Sequence, residues 1–301
     1  MDLSEKKIIV LGSEGYLGRH IVHYLMKYGA DVLCLDRYDK SKFNHANYQS
    51  VDVTKPETLE QVDWNVDCVM NFSGITGTSN SFIDYKLFIE VNELGLVNVL
   101  TSIKDSPHNP RVVFPSTRLV YKGSENPLRE DAEKEAKTIY ASSKIASEHI
   151  LNAYSNAFGM EYTIYRICVP YGNIFSAEYS YGTIGFMINS AKEKGGIKIF
   201  GDGSQRRTFS HVEDLCGQII GSCFSNECIN EIYNIDGDTY SLFEVANLLA
   251  NKLNVKVETV PWPKLAKSLE SGHTVFNADK LLSEFKYTLR YNLKKWIDGL
   301  I

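Results

Sequence analysis

The stretch VLGSEGYLG, from Val10 to Gly18, constrains this chain more than any other part of it. The apolar run KIIVL leads into it and the helix-like YLGRHIVHYLMKYG leaves it, with Gly12, Gly15 and Gly18 at three-residue intervals across the junction. Side chains at such positions would block a tight strand-to-helix turn and the approach of a pyrophosphate to backbone N–H groups. The helix amino terminus adds partial positive charge. A glycine trio among 21 glycines is weak by itself; the strand before it and the helix after it are the context that dinucleotide binding requires. Tyr16 and Leu17, which open the helix, join the three glycines as candidate cofactor contacts.

Asp36 ends the next apolar run, DVLCLD. It stands close to the roughly twenty residues beyond the glycine turn at which a carboxylate meets the adenosine ribose. A carboxylate there repels a 2′-phosphate, which favours NAD over NADP. Arg37 beside it keeps NADP open, because a guanidinium can hold that phosphate instead.

Strand-like runs then alternate with helical ones: YQSVDV, VDCVMNF, a long helix over about 82–103, RVVF, a helix over about 139–158 and YTIYRICV. This is the signature of βαβ units, and right-handed crossovers turn it into a parallel sheet with helices on both faces. The expected fold is α/β, a doubly wound Rossmann-type sheet over 1–170, followed by a smaller α/β substrate domain over 171–301. The boundary is soft, and some later strands are expected to return to the first sheet. After Pro170 the texture changes to YGNIFSAEYSYGTIG, rich in glycine and aromatics.

Val112, Val113 and Phe114 form the continuous apolar run of a strand buried on both faces. The carboxyl end of such a strand lies where open α/β sheets bind ligands, so Ser116, Thr117 and Arg118 are candidates for chemistry. Tyr140 and Lys144, in YASSK, are four apart and share one face of a helix. YDKSK from Tyr38 and YNLKK from Tyr291 have the same spacing; position singles out Tyr140, whose helix comes after the strand ending at Thr117. A phenol with a pKa of about 10 is a poor base at neutral pH until a neighbouring ammonium stabilises its anion.

A net charge of −5 without a long basic block argues against nucleic acid or an anionic membrane as partner. Six cysteines, scattered without CxxC or histidine pairing, read as small buried hydrophobes in a reducing compartment and give no metal site. No run approaches the length of a membrane span, and the first strand begins at once without a leader, so a cytoplasmic location is expected.

Taken in order, GSEGYLG, Asp36, VDV with Asp52, NFSG, VNELGLVNVL with Asn92, STRLVY, YASSK, YRICVPYGN and GDGSQRRTFSHVEDL resemble the extended short-chain dehydrogenase/reductases, in particular their nucleotide-sugar epimerases and dehydratases. The resemblance covers nearly the whole chain. It implies that Thr117 is the catalytic hydroxyl, Tyr140 the acid/base, and Lys144 the residue that binds the nicotinamide ribose and lowers the phenol pKa. It makes Asp52 and Val53 adenine contacts, places Ser73 and Gly74 beside the nicotinamide, and adds Asn92 and Pro170 to the cofactor site. Arg207 becomes the arginine that grips a diphosphate, and Ser116, Thr117 and Tyr171 join it as candidate substrate residues; Arg118, unusual beside the catalytic threonine, is a candidate for binding an acidic or hydroxyl-rich substrate group, with pairing to a surface carboxylate as the alternative.

Two departures matter. Arg118 and Leu119 stand where the family's dehydratases carry an acid/base pair of carboxylates, which disfavours dehydration. Val169 stands where many relatives have an asparagine, which implies altered sugar recognition. His211 reads as a structural helix-start residue. The reaction expected is NAD-dependent epimerisation of a nucleotide sugar, at C4 through a transient ketone. A nucleotide-sugar 4-ketoreductase or dehydrogenase is the alternative, and a cofactor sensor without turnover the third reading. A homodimer through the 82–103 and 139–158 helices is expected, with Ile145 and Ile150 among its apolar positions.

Overall fold

The computed structural model describes residues 1–176 and 181–300, so positions 177–180 of the aromatic loop after Pro170 lie outside the described residues. The chain divides into two compact units. The first takes Met1–Val120, Thr138–Arg166 and Ile219–Tyr233; the second takes Tyr121–Lys137, Ile167–Gln218 and Asn234–Ile301. The chain crosses between the units several times, and Ile219–Tyr233 belongs to the first.

Twelve strands are found among the described residues: β1 (Lys7–Leu11), β2 (Asp31–Asp36), β3 (Tyr48–Ser50), β4 (Cys68–Asn71), β5 (Arg111–Thr117), β6 (Tyr162–Ile167), β7 (Val169–Tyr171), β8 (Gly196–Phe200), β9 (Arg206–His211), β10 (Glu231–Asn234), β11 (Asp238–Ser241) and β12 (Lys256–Val260). The first unit is built on a seven-stranded sheet in the order β10-β6-β5-β4-β1-β2-β3. From β3 through β2, β1 and β4 to β5 every pairing is parallel. Strands β4 and β6 are buried at every residue; the apolar Cys68–Met70 run of β4 fits that burial, and β6 also buries Thr163 and Arg166. Leu11, Leu35, Val69, Val112 and Phe114 of the sheet share a core with Leu96, Val99 and Leu100 of the Gly95–Ile103 helix. YTIYRICV, expected as one strand, is split after Ile167 into β6 and β7, which belong to different sheets.

The helix over 139–158 is found as Ile139–Phe158. Thr138 starts it, its hydroxyl accepting from Ala141 N at 3.0 Å, and Gly159 ends it in the left-handed region at φ 70°. The long helix expected over 82–103 is interrupted. Asn80–Ile83 and Tyr85–Ile89 are separated at Asp84, and a π turn over Glu90–Leu94 precedes Gly95–Ile103. The wide turn carries Asn92, whose side-chain oxygen accepts from Ile75 N (2.9 Å) while its amide donates to Ile75 O (3.1 Å). Such turns occur mostly where a side chain serves a site.

In the second unit β11 and β7 flank β9, the first antiparallel and the second parallel to it, and β12 pairs with β8 in parallel. The Leu242–Leu253 helix packs there behind a capping box in which Ser241 and Glu244 satisfy each other's backbone N–H groups.

Candidate active site

At the carboxyl ends of β1, β2 and β4 the first unit encloses a cavity of about 250 Å³. Its lining includes Gly12, Gly15, Asp36, Arg37, Asp52, Val53, Ser73 and Gly74, eight of the expected cofactor contacts. The turn exists because its glycines lack Cβ atoms. Gly12 sits at φ +74°, and a Cβ there would lie 2.6 Å from the backbone of Phe72. A Cβ on Gly18 would lie 2.0 Å from the carbonyl oxygen of Gly12, so this third glycine packs the helix onto the turn rather than lining the cavity. Tyr16 and Leu17 open the Tyr16–Lys27 helix and likewise do not line it.

Asp36 is clamped by backbone donors, Glu14 N at 3.0 Å and Arg37 N at 2.8 Å. Burial raises its carboxyl above the ordinary value, against those two bonds. Asp52 shapes a turn, its carboxylate accepting from the backbone N and hydroxyl of Thr54 at 3.0 and 2.7 Å. Ser73 donates to the side chain of Asn71. A cradle that admits backbone closely at Gly12 and puts a carboxylate at its second-strand end fits a dinucleotide without a 2′-phosphate, which is NAD.

Thr117 ends β5, whose pairing with β4 at Met70–Val113 carries it beyond the point where β4 leaves the sheet. Tyr140 and Lys144 lie on the buried face of the Ile139–Phe158 helix. The Lys144 ammonium donates to Pro115 O at 2.8 Å and stands 4.3 Å from the centre of the Phe114 ring. A Cβ on Gly74 would come within 3.9 Å of it, so the ammonium borders the Gly74 end of the cavity. Burial brings Lys144 down to about 8, against the opposing pull of Glu148. The Tyr140 ring meets Phe88 edge-on at 6.3 Å. Asn92 joins these parts, bonding Ile75 of the cavity wall and donating to Ser143 Oγ at 3.2 Å.

Several expected substrate contacts are engaged elsewhere. The Ser116 hydroxyl donates to Glu148 Oε1 at 2.5 Å and is buried, because successive residues of a strand point to opposite faces and Thr117 takes the other one. Arg118 is half-buried in a short 3-10 turn with Leu119 and Val120. In the second unit, Tyr171 is fully buried in packing, edge-on to His211 and Trp296 at 5.1 Å each, and Pro170 is half-buried beside it in β7. Arg207, expected to grip a diphosphate, is 2% exposed and forms a 2.5 Å ion pair with Glu270, with further bonds to Gly272 O and Thr274 Oγ1. His211 ends β9 and stacks on Tyr291 at 3.7 Å.

The two competing Tyr/Lys pairs lack the setting. Tyr38 and Lys42 lie in a loop, with the ammonium 3.3 Å above the ring. Tyr291 donates to Glu213, and burial together with that carboxylate pushes its phenol up to about 12. Three participants escaped the sequence reading. Glu14, inside the glycine turn, accepts from the Ser41 hydroxyl (2.8 Å) and Lys42 N (2.7 Å) and so ties down the loop after β2. Leu87 and Val91 line the cavity; their spacing of four was the available signal.

The family model described as the NAD dependent epimerase/dehydratase family matches residues 8–235. The chain is similar to a putative UDP-glucose 4-epimerase of Methanocaldococcus jannaschii, 26% identical over 261 residues and covering 84% of each chain. It is also similar to a UDP-glucuronate 4-epimerase of Thermodesulfobacterium geofontis, 24% identical over 83% of this chain and 81% of that one. Its fold matches the UDP-glucose 4-epimerase of Thermus thermophilus solved in complex with NAD, with a TM-score of 0.83 at 24% identity, covering 98% of this chain and 97% of the other.

Proposed function

Because the chain belongs to the NAD-dependent epimerase/dehydratase family and is thereby an NAD-dependent enzyme, we propose that it epimerises a nucleoside diphosphate sugar at C4. The observation that carries this reading is the placement of Tyr140 and Lys144 on one buried helix face, with the ammonium bordering the Gly74 end of the dinucleotide cradle. Gly12, Gly15, Asp36, Asp52, Val53, Ser73 and Gly74 would hold the dinucleotide, and the chemistry it supplies when bound is reversible hydride acceptance. Tyr140 takes the proton of the sugar hydroxyl at Oη and later returns it. Lys144, charged below about pH 8, stabilises the phenolate form of Tyr140. Thr117 Oγ1 orients the same sugar oxygen.

Arg118 and Leu119 after Thr117 supply no carboxylic acid, which speaks against loss of water from the sugar. The similarity to two proteins named as 4-epimerases supports the choice of C4. The test is incubation of the purified holoenzyme with UDP-glucose, UDP-glucuronate and related sugar nucleotides, followed by NMR of the sugar. A C4 epimer formed without added cofactor and without net consumption of reduced cofactor is expected. Stoichiometric oxidation of added NADH or NADPH by a 4-keto sugar would instead establish the ketoreductase.

The enzyme is proposed to act as a homodimer. Phe82, Ile83, Tyr85, Ile89 and Leu94 are all exposed, an unusual density of large apolar side chains on one short segment, whereas Ile150 is packed against the core. Light scattering after size exclusion is expected to give twice the chain mass, and Ile83→Lys with Leu94→Lys to give the monomer. A cytoplasmic location is supported by six free cysteines, all buried. No helix among the described residues is long and apolar enough to cross a membrane.

A further inference from the structure

Beneath the Tyr140–Lys144 face lies a buried acidic side chain that the proton transfer does not use. Glu148 comes four residues after Lys144 and is buried, yet it keeps a full set of partners. Its Oε1 accepts from Ser116 Oγ (2.5 Å) and Arg166 Nε (3.0 Å), and its Oε2 accepts from Arg166 Nη2 (2.6 Å). Arg166 sits on β6 and Ser116 on β5, so one carboxylate bolts the helix to two adjacent strands. The carbonyl oxygen of the neighbouring residue of β5, Pro115, accepts a hydrogen bond from the Lys144 ammonium. Two consecutive residues of β5 therefore fix two successive turns of the helix, directly before Thr117.

We propose that Glu148 is a positioning residue of the active site, which through Ser116 and Arg166 sets the register of the Tyr140–Lys144 helix on β5 and through its negative charge keeps the Lys144 ammonium protonated. The inference rests on Tyr140 and Lys144 being the reacting pair. A buried ion pair with no such role would hold the sheet and helix together and leave the proton on Lys144 untouched. Charge matters here because Lys144 is desolvated, and Glu148 is the group that opposes the loss of its proton. The titratable and charged groups around Lys144 are Tyr140 and Glu148 on its own helix and Arg166, through Glu148, on β6. The strand β5 and the turn after β4 present Pro115 O, the Phe114 ring and Gly74, none of which titrates.

Two variants of the holoenzyme separate position from charge. Glu148→Gln keeps the shape and removes the charge; Glu148→Asp keeps the charge and shortens the reach to Ser116. The first readout is the pH dependence of Lys144 modification by a small amine-selective reagent, followed by peptide mass mapping, which needs no substrate. Glu148→Gln is expected to raise the modification rate at pH 7 about fivefold, the effect of one pKa unit on an amine at about 8, and Glu148→Asp to leave it at the wild-type value. The second readout is turnover against pH. Glu148→Gln is expected to lose activity at a lower pH than the wild type does on the alkaline side. Glu148→Asp is expected to fall about 10- to 100-fold at every pH with the profile unmoved. A folded Glu148→Gln with the wild-type modification curve overturns the charge role, and Glu148→Asp with wild-type turnover overturns the positioning role. Should Glu148→Gln fail to fold, Glu148→Asp decides alone: wild-type turnover sinks the proposal, and a uniform loss with unmoved Lys144 chemistry supports it. If the wild type turns over no sugar nucleotide, the functional reading fails while the modification experiment still tests Glu148.

Discussion

Tyr140→Phe is expected to abolish interconversion of the sugar epimers, by about 10³-fold or more, while leaving the melting temperature and the bound dinucleotide as in the wild type. The substitution removes one oxygen from a buried ring whose edge contact with Phe88 survives unchanged. Proton transfer by a positioned side chain typically contributes about 10²- to 10⁴-fold, and neither Lys144 nor Thr117 is suited to replace the phenol. Lys144, down at about 8, has its ammonium committed to Pro115 O. Thr117 Oγ1 accepts from Leu119 N at 3.3 Å, and an aliphatic hydroxyl is far too weak an acid to cycle a proton at neutral pH. The measurement is kcat for the substrate found in the panel, with the cofactor absorbance of the purified variant as control. Turnover within tenfold of the wild type would remove Tyr140 from the chemistry.

The second large effect concerns Gly18→Ala. This glycine does not line the cofactor cavity, yet its substitution is expected to empty that cavity. A Cβ at Gly18 would lie 2.0 Å from Gly12 O and 2.8 Å from Gly12 C, both backbone atoms that no side-chain rotation can clear. The helix must back away from the turn, taking with it an amino terminus of the kind that binds phosphate. Overpacking of this kind costs about 3 kcal/mol or more, which for a chain of this size lowers the melting temperature by roughly 6–10 °C. Gly15→Ala is the internal comparison: its Cβ would meet Gly12 O at 3.1 Å, a contact that a few tenths of an ångström relieve. Retained dinucleotide and an unchanged melt in Gly18→Ala, or equal damage in both variants, would refute the packing role assigned to the third glycine.

Legibility from residues alone divides along physical lines. The sheet of the first unit was legible because strands buried on both faces must be apolar throughout, and the turn at Gly12 because a φ of +74° against the Phe72 backbone admits no other residue type. That Tyr140 and Lys144 share one buried helix face was legible because their spacing of four is the helical one. The bond of Ser116 to Glu148 was not legible, since its partner lies 32 residues away, although the two-residue period of a strand already put its side chain on the face opposite Thr117. The engagement of Arg207 could not be read, since its partner Glu270 lies 63 residues away and only the fold brings them together. The break in the expected 82–103 helix was equally hidden. Its π turn carries Asn92, whose bond to the backbone of Ile75 is a contact across 17 residues that no local propensity encodes.

That contact has a chemical corollary. Asn92 engages the peptide groups on both sides of Ile75, its Oδ1 accepting from Ile75 N and its Nδ2 donating to Ile75 O. Only a primary amide offers an acceptor and a donor side by side on so short a stem. The isosteric carboxylate would set two lone-pair-bearing oxygens against each other, and a leucine of equal bulk would strand both peptide groups in a dry interior. The wall of the cofactor cavity is thus keyed to a single side-chain functional group, and swaps that preserve size there are no safer than those that do not.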